Sequence, residues 1–478
     1  ELRKEQKLSF SELAQRTGMS ISYLNEIEKG KKYPKQDKIE ALARGLDCTV
    51  DKFATEELHP ALKPVGNLLK SNFLNELPLD LFGLNLQQIV EMISNAPKRV
   101  GAFISTLVEL SKNYALQEDN FYFGAMRAYQ ELHYNFFEGI EEKTETFVKE
   151  NKLEQGKTSS NLLAGILAEK FNCEVIDEGL AEFPELKNTL AVLKPKKNQL
   201  LIQKGVNEKQ RSFIIARELG FRYLELKDRP YYTPLRTSNS FEPVLSNFKA
   251  TYFATAMMMN REEVAERVRA FCSRSTWDGD AFVKIIDSYN VTPEMFVHRL
   301  TQILPQYFQL KQLYFIRVRT LPELEKFTID KVLHLNQSHH PHSNKIYEHY
   351  CRRWGSVDTL KELKRQRRRG EEAKMIAHVQ RSRYHETEDE YLTISIAIPS
   401  SELQGKDISV TFGILMDDFL RKVVGFSADE NILDRIVNKT CERCPIEDCR
   451  ERAVKPTVFQ RRKSWEATKK KLDELMKE

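Results

Sequence analysis

Three thiols fall within nine residues near the end of the sequence, in Cys441-Glu-Arg-Cys444-Pro-Ile-Glu-Asp-Cys449. Cys-x2-Cys-x4-Cys is a spacing that can close on one metal ion or on one face of a cluster, with a fourth ligand drawn from elsewhere. The sequence has seven cysteines and no signal peptide. In that setting the clustering points to metal or redox chemistry rather than disulfides, and away from three free thiols in a solvated loop. Arg352, Arg353, Arg443, Arg450 and Arg452 add positive charge suited to anionic thiolates. His334, His339, His340, His342 and His349 could also ligate, but their crowding around Pro341 reads better as a polar loop. Cys48, Cys173 and Cys272 lie in apolar or helical contexts and read as ordinary buried residues.

A second chemical feature is defined by what it lacks. Arg211 to Leu226 reads Arg-Ser-Phe-Ile-Ile-Ala-Arg-Glu-Leu-Gly-Phe-Arg-Tyr-Leu-Glu-Leu and resembles the active-site helix of ImmA/IrrE-type zinc peptidases. The resemblance implies His-Glu-x-x-His, two imidazoles one turn apart on zinc with a glutamate as general base. Here those places hold Arg217, Glu218 and Phe221, and neither Arg nor Phe ligates zinc. The third, acidic ligand would fall at Asn247, ahead of Phe-Lys-Ala-Thr-Tyr-Phe-Ala254. No catalytic residue is therefore assigned. Glu218 reads as a salt-bridge partner inside a structural helix, and what remains reads as a cleft without metal, available for a ligand.

Phe121 to Glu141 is dense in aromatics. On a helix Phe123, Met126, Tyr129, Gln130, His133 and Phe136 or Phe137 share a side, with Arg127 and His133 as polar handles. This can wall a pocket for an acyl chain or simply fill a helical core, and the residues alone favour the core.

Ser9 and Glu12 form a capping box for a helix through Thr17. Gly18 permits a tight turn, and Ser20 caps a second helix that runs to Lys29 and stops at Gly30. Leu13, Ala14, Leu24 and Ile27 are spaced to pack the two helices, with Met19 inward in the turn. Ser20, Ile21, Ser22, Tyr23, Asn25, Glu26 and Lys29 are then the candidate DNA contacts, short or polar groups suited to a major groove. Lys29, Lys31 and Lys32 can neutralise phosphates. The string Leu-Ala-x-x-x-Gly-Met-Ser-x-Ser-Tyr-Leu-x-x-Ile-Glu-x-Gly-x-x-x-Pro resembles the Cro/phage-repressor helix-turn-helix family, also called XRE. The resemblance implies a dimer on two half-sites.

These motifs must be held by about three domains' worth of chain, since the sequence has 478 residues. The net charge of +5 permits a nucleic-acid partner without demanding one. No apolar run is long enough to span a bilayer. The chain opens on Glu1 with short leading turns, as if trimmed at its start. His59-Pro60 and Lys63-Pro64 mark a linker. Thr189 to Ile202 reads as a hairpin around Pro-Lys-Lys-Asn, and Leu313 to Val318 and Tyr391 to Ile398 as strands. The run Lys361 to Arg369 could add phosphate contacts. The expected fold is an α+β multidomain chain with four parts. They are an all-α helix-turn-helix head (1–58), a helical linker and sensor segment (59–155), a degenerate zincin-like α+β domain (156–305) and a C-terminal α+β, GAF-like metal-binding domain (306–478).

This order of parts resembles the short-chain fatty-acyl transcriptional regulators over nearly the whole chain, most specifically in the helix-turn-helix and the cysteine region. The resemblance implies a cytoplasmic, homodimeric, non-enzymatic regulator of double-stranded DNA that responds to a short acyl-coenzyme A. It implies Cys351, in Tyr-Cys-Arg-Arg-Trp354, as the fourth metal ligand beside Cys441, Cys444 and Cys449. It also favours a [4Fe-4S] cluster over zinc. The acyl-CoA candidates are Phe123, Tyr129 and His133 around the chain and Arg127, Arg211, Arg217, Arg222 and Lys249 on the polar side. Two other readings are an active or relict repressor-cleaving metallopeptidase and a phage-type or toxin–antitoxin repressor that binds a protein partner.

Overall fold

The computed structural model describes residues 2–28, 32, 34, 36–48, 118–154, 158–321, 326–335, 348–385, 387, 389–399 and 407–476. The linker near residues 59–64, the helices expected over 67–117, Lys29, Lys31, His339, His340 and His342 lie outside them. The chain divides into two compact units, Glu1–Tyr122 with Asn239–Phe241, and Phe123–Ser238 with Glu242–Glu478.

The first unit carries α1 (Leu2–Glu5), α2 (Phe10–Thr17), α3 (Ile21–Glu28) and α4 (Gln36–Gly45). The capping box is present: Ser9 Oγ accepts from the Glu12 amide, and the Ser9 amide donates to the Glu12 carboxylate. Gly18 ends α2 at φ 70°, a left-handed conformation that favours glycine. Ser20 Oγ accepts from the Tyr23 amide and so caps α3. Leu13, Met19, Leu24, Leu42 and Leu46 bury a small core that pins the two helices against α4.

The second unit begins within the helix α5 (Glu118–Leu132), at Phe123, followed by α6 (Glu138–Glu150) and α7 (Ser160–Phe171). A four-stranded sheet comes next, β1 (Glu174–Ile176), β2 (Ala191–Lys194), β3 (Gln199–Ile202) and β4 (Tyr232–Thr233), in the order β1-β3-β2-β4. β2 and β3 are the expected hairpin, antiparallel around Pro195 to Asn198. Between β3 and β4 runs α8 (Glu208–Tyr223), started by a second capping box of Asn207 and Gln210. Four helices follow: α9 (Phe241–Met258), α10 (Arg261–Cys272), α11 (Gly279–Asp287) and α12 (Pro293–Tyr307). α8 lies close on α9 at Gly220, where an added Cβ would stand 2.9 Å from the Phe253 ring and 3.1 Å from the Ala250 carbonyl.

A six-stranded sheet completes the unit. It comprises β5 (Leu313–Leu321), β6 (Lys326–His334), β7 (Ile376–Tyr384), β8 (Glu390–Ile398), β9 (Ile408–Leu415) and β10 (Leu433–Val437) in the order β10-β7-β8-β9-β5-β6. Only β10 with β7 is parallel. Alternate residues of β5 serve opposite faces, as the two-residue period of a strand requires. Leu313 and Phe315 join the main core, while Tyr314, Ile316 and Val318 face α13 (Gly355–Arg368) with Cys351, Trp354, Val357 and Leu360. The main core runs unbroken from Phe147 to Ile432, so the regions expected at 156–305 and 306–478 share one interior. α14 (Asp418–Val423) caps one end, and α15 (Thr457–Leu475) closes the described chain without burying a residue. Among the described residues no helix is long and apolar enough to cross a membrane.

Candidate nucleic-acid interface and effector site

The outward side of α3 carries the expected DNA contacts. Ser20, Ile21 and Ser22 are exposed, and Tyr23, Asn25 and Glu26 are partly so, while Leu24 is sealed into the core. Ile21 is half exposed, an unsatisfying place for an apolar side chain in water and a natural one against a thymine methyl. Lys32 lies 3.1 Å from Glu26 and 5.8 Å from the Tyr23 ring centre, so this phosphate candidate is held in an exposed ion pair. The sequence did not point to Arg3, which clasps Glu28 and stacks on Phe10 at 4.1 Å, tying α1 to the end of α3.

A cleft of about 630 Å³ opens in the second unit, where the end of α5, the start of α6, the end of α8, α9 and the end of α12 meet. Its lining is largely apolar: Tyr129, Phe136, Phe137, Ile140, Leu224 and Leu226, with His133, Glu138, Lys143, Lys249 and Gln306 as polar members; Glu138 is paired with Arg261. Of the acyl-CoA candidates, Tyr129, His133 and Lys249 line it, and Phe123 and Arg127 do not. The aromatic wall is continuous: Tyr129 meets His133 edge-on at 4.6 Å, and His133 meets Phe137 at a tilt at 5.2 Å. Lys143 and Lys249 bring two cationic side chains to the lining, against the single carboxylate of Glu138. Lys143, Leu224, Leu226 and Gln306 were not legible as site residues, because each belongs to the cleft only through the packing of distant helices.

Behind the lining residue Phe137 stands a buried polar network. The Phe137 amide donates to the Tyr252 hydroxyl at 3.2 Å, and that hydroxyl donates to Glu141 at 2.7 Å. Arg299, wholly buried, clasps both Glu141 oxygens at 2.5 and 2.9 Å. Burial pushes the Glu141 carboxyl up, and Arg299 outweighs this to hold it below its ordinary value. Asn135, in a left-handed turn at φ 53°, is fixed by Gln130 and Thr301 at 3.0 and 2.9 Å.

The positions read as counterparts of zinc-peptidase ligands lie close together at Arg217 and Asn247. Buried Arg217 donates to Asn247 Oδ1 at 3.0 Å and to the Thr233 hydroxyl. Burial, then the nearby Arg229 charge, lower its pKa to about 10. Glu218 is an ion-pair partner as the sequence suggested, held by Arg222 at 2.8 Å and by Arg229. The Arg229 guanidinium also stacks on Phe221 at 3.8 Å. A guanidinium thus bridges two would-be ligand positions. The cleft lies elsewhere, since Lys249 is about 200° around α9 from Asn247. The cleft does not coincide with the positions that the resemblance assigns to a metal. The remaining phosphate candidates are also engaged, Arg211 with Asp177 at 2.8 Å and Arg222 with Glu218 and Asn198. The basic run on α13 is paired in part, Arg367 with Asp407 and Arg365 and Arg369 with Glu362.

The cysteine segments meet through a backbone bridge. Tyr350 pairs antiparallel with Thr440, the Cys441 amide donates to the His349 carbonyl at 2.8 Å, and the Cys351 amide donates to the Lys439 carbonyl at 3.2 Å. Cys351, Cys441 and Cys444 are buried and Cys449 is half-buried. Backbone amides point at the sulfurs: Asn438 and Arg353 at Cys351, Ile446 at Cys444, and Ala453 at Cys441 at 3.5 Å. Burial, with the neighbouring Cys441 and Cys444, pushes the Cys351 thiol up to about 12 despite those amides. Amide donors around clustered sulfurs are what thiolates bound to a cation require, so the donor chemistry fits a metal or cluster. The shell is not closed, however: among the described residues no three cysteine, histidine or carboxylate groups form a set that could hold an ion. The expected basic surroundings are partly spent within the loop, Arg443 on Glu348 and Arg452 on the carbonyls of Cys441, Cys444 and Ile446. His349 is held by Glu442 at 2.8 Å.

A helix-turn-helix family model of the Cro/XRE type matches residues 1–53. It supports a DNA-binding transcription regulator and bears on about the first tenth of the chain. No curated protein matches the sequence. Among solved structures, a Mycobacterium tuberculosis transcriptional regulator is similar at 17% identity, over 69% of this chain and 92% of that chain, with a TM-score of 0.47. A likeness of that degree carries no argument about function.

Proposed function

We propose that this chain is an effector-responsive transcription regulator that acts as a homodimer on double-stranded DNA. The observation that carries the reading is the capped helix-turn-helix with its polar outer face on α3. In this reading a short acyl thioester of coenzyme A occupies the cleft, its chain against Tyr129, Phe137 and Ile140. Its phosphates lie near Lys143 and Lys249, the two lysines of the lining. The effector acts through its different affinity for two states of the protein. The decisive measurement is binding to the DNA upstream of the chain's own gene, with and without acetyl-, propionyl- and longer acyl-CoAs. DNA binding that no acyl-CoA alters refutes the effector; absence of DNA binding refutes the regulator.

The same reading assigns Cys351, Cys441, Cys444 and Cys449 to a [4Fe-4S] cluster, with zinc as the alternative. When bound, the group would supply a redox-sensitive or purely structural tie between the 351 and 441–449 segments. The six-stranded sheet with helices on both faces supports a GAF-like domain behind it. Anaerobic purification followed by metal analysis and absorbance spectroscopy tests this. Stoichiometric zinc in a colourless protein refutes the cluster, and loss of all metal in Cys351→Ser supports the fourth ligand.

A further inference from the structure

The helix α15 is anomalous in this fold. It runs for 19 residues, about 28 Å, and none of them is buried by the described chain. Yet Val458, Trp465, Leu472 and Met476 recur at intervals of seven, seven and four and fall on one stripe. Trp465 is 64% exposed, Leu472 54% and Met476 86%. A solitary helix of this length gains little stability in water from its own hydrogen bonds, and an exposed tryptophan on an apolar stripe is the signature of a helix with a partner.

Within one copy Arg462 pairs with Glu466 at 2.8 Å and Lys469 lies 5.7 Å from the Trp465 ring centre, and the order of the charges beside the stripe is also complementary to a second copy. Arg462, Glu466, Lys469 and Asp473 follow one another at intervals of four, three and four, so they form a second strip flanking the first. Their signs alternate. If a second copy of the helix lies antiparallel, related by a two-fold axis, like flanks meet. Arg462 then faces Asp473 of the other copy, and Glu466 faces Lys469. Both pairs are centred on the same point, between Ala467 and Thr468, so one axis satisfies all four contacts. The same axis sets Trp465 between Thr468 and Leu472 of the second copy, a knob entering a hole.

We propose that α15 is a self-association helix, pairing antiparallel with α15 of a second copy of this chain. The proposal rests on the reading of the protein as dimeric and says where the two copies hold each other. A pair of helices this long is at the lower end of specific interfaces, so association in roughly the micromolar range follows.

Sedimentation velocity on the full chain tests it, with circular dichroism to confirm unchanged helicity. The wild-type chain should be dimeric at tens of micromolar. Glu466→Lys alone and Lys469→Glu alone should each weaken self-association at least tenfold, because each sets like charges face to face. A mixture of the two variants should recover the dimer, since 466 and 469 are then of opposite sign in both directions. A role confined to one helix could not produce that recovery. A monomeric wild-type chain overturns the dimeric reading itself. A dimer that both single variants leave intact, or a mixture that fails to recover, overturns α15 as the interface and leaves the dimeric reading standing.

Discussion

Arg217 donates a 3.0 Å hydrogen bond to Asn247, joining two positions that a zinc peptidase would devote to its metal. Phe221 lies under the Arg229 guanidinium and Glu218 is held between Arg222 and Arg229, so these side chains are engaged with arginines.

Arg217→Ala should therefore be a stability mutation. It strips partners from Asn247 and buried Thr233, and a buried polar group left unpaired costs about 1–3 kcal/mol. Urea denaturation at neutral pH should show a loss in that range. An unchanged midpoint would mean the guanidinium contributes nothing where it stands.

The acid limb of stability should depend on Glu294. Burial pushes its carboxyl up, but Lys331 at 2.5 Å and Arg317 at 2.7 Å outweigh this and hold it at about 2. A carboxyl with a depressed pKa stabilises the fold above its unfolded value near 4.5 and loses that contribution as pH falls toward about 2. Glu294→Gln should flatten the stability profile between those two values and leave the profile near pH 7 with the same slope. Parallel acid-unfolding curves for the two proteins would contradict the assignment.

Asn25→Ala, on the outer face of α3, should reduce operator affinity by about 1–3 kcal/mol and relax preference at one base step, as expected for a lost side-chain contact to a base edge. Thermal unfolding should be nearly unchanged, because Asn25 is outside the core of the head. Affinity that falls equally on all sequences would reassign Asn25 to the phosphate backbone.

At the cleft, Lys249→Glu should weaken acyl-CoA binding about tenfold or more by replacing an attractive charge at the mouth with a repulsive one. Calorimetry reads this directly. Equal affinities for the two proteins would place the coenzyme's phosphates away from α9.

What the sequence could reveal tracked the range of the interactions. The Ser9–Glu12 capping box, the Gly18 turn and the Pro195–Asn198 hairpin each depend on residues within a few positions, and each was legible. Tyr129, His133 and Lys249 could be named because aromatic and basic side chains are conspicuous. The location of the cleft could not be read, because Tyr129 and Leu226 meet only through five helices. Arg229 as the second partner of Glu218 was not foreseen, nor was the Glu141–Arg299 pair, separated by 158 positions. Charge pairing over such distances has no periodic signature.

That buried pair makes the cleft a gauge. Phe137 is tied through Tyr252 to Glu141, and Glu141 to Arg299, so one wall of the cleft is anchored to a buried ion pair. A guest that must displace Phe137 to fit loads that anchor, and parting such an ion pair costs about 3–5 kcal/mol. Affinity should then rise with acyl length and fall abruptly at one added methylene, where a compliant wall would give a gradual decline. Calorimetry across an acyl-CoA series distinguishes a step from a slope.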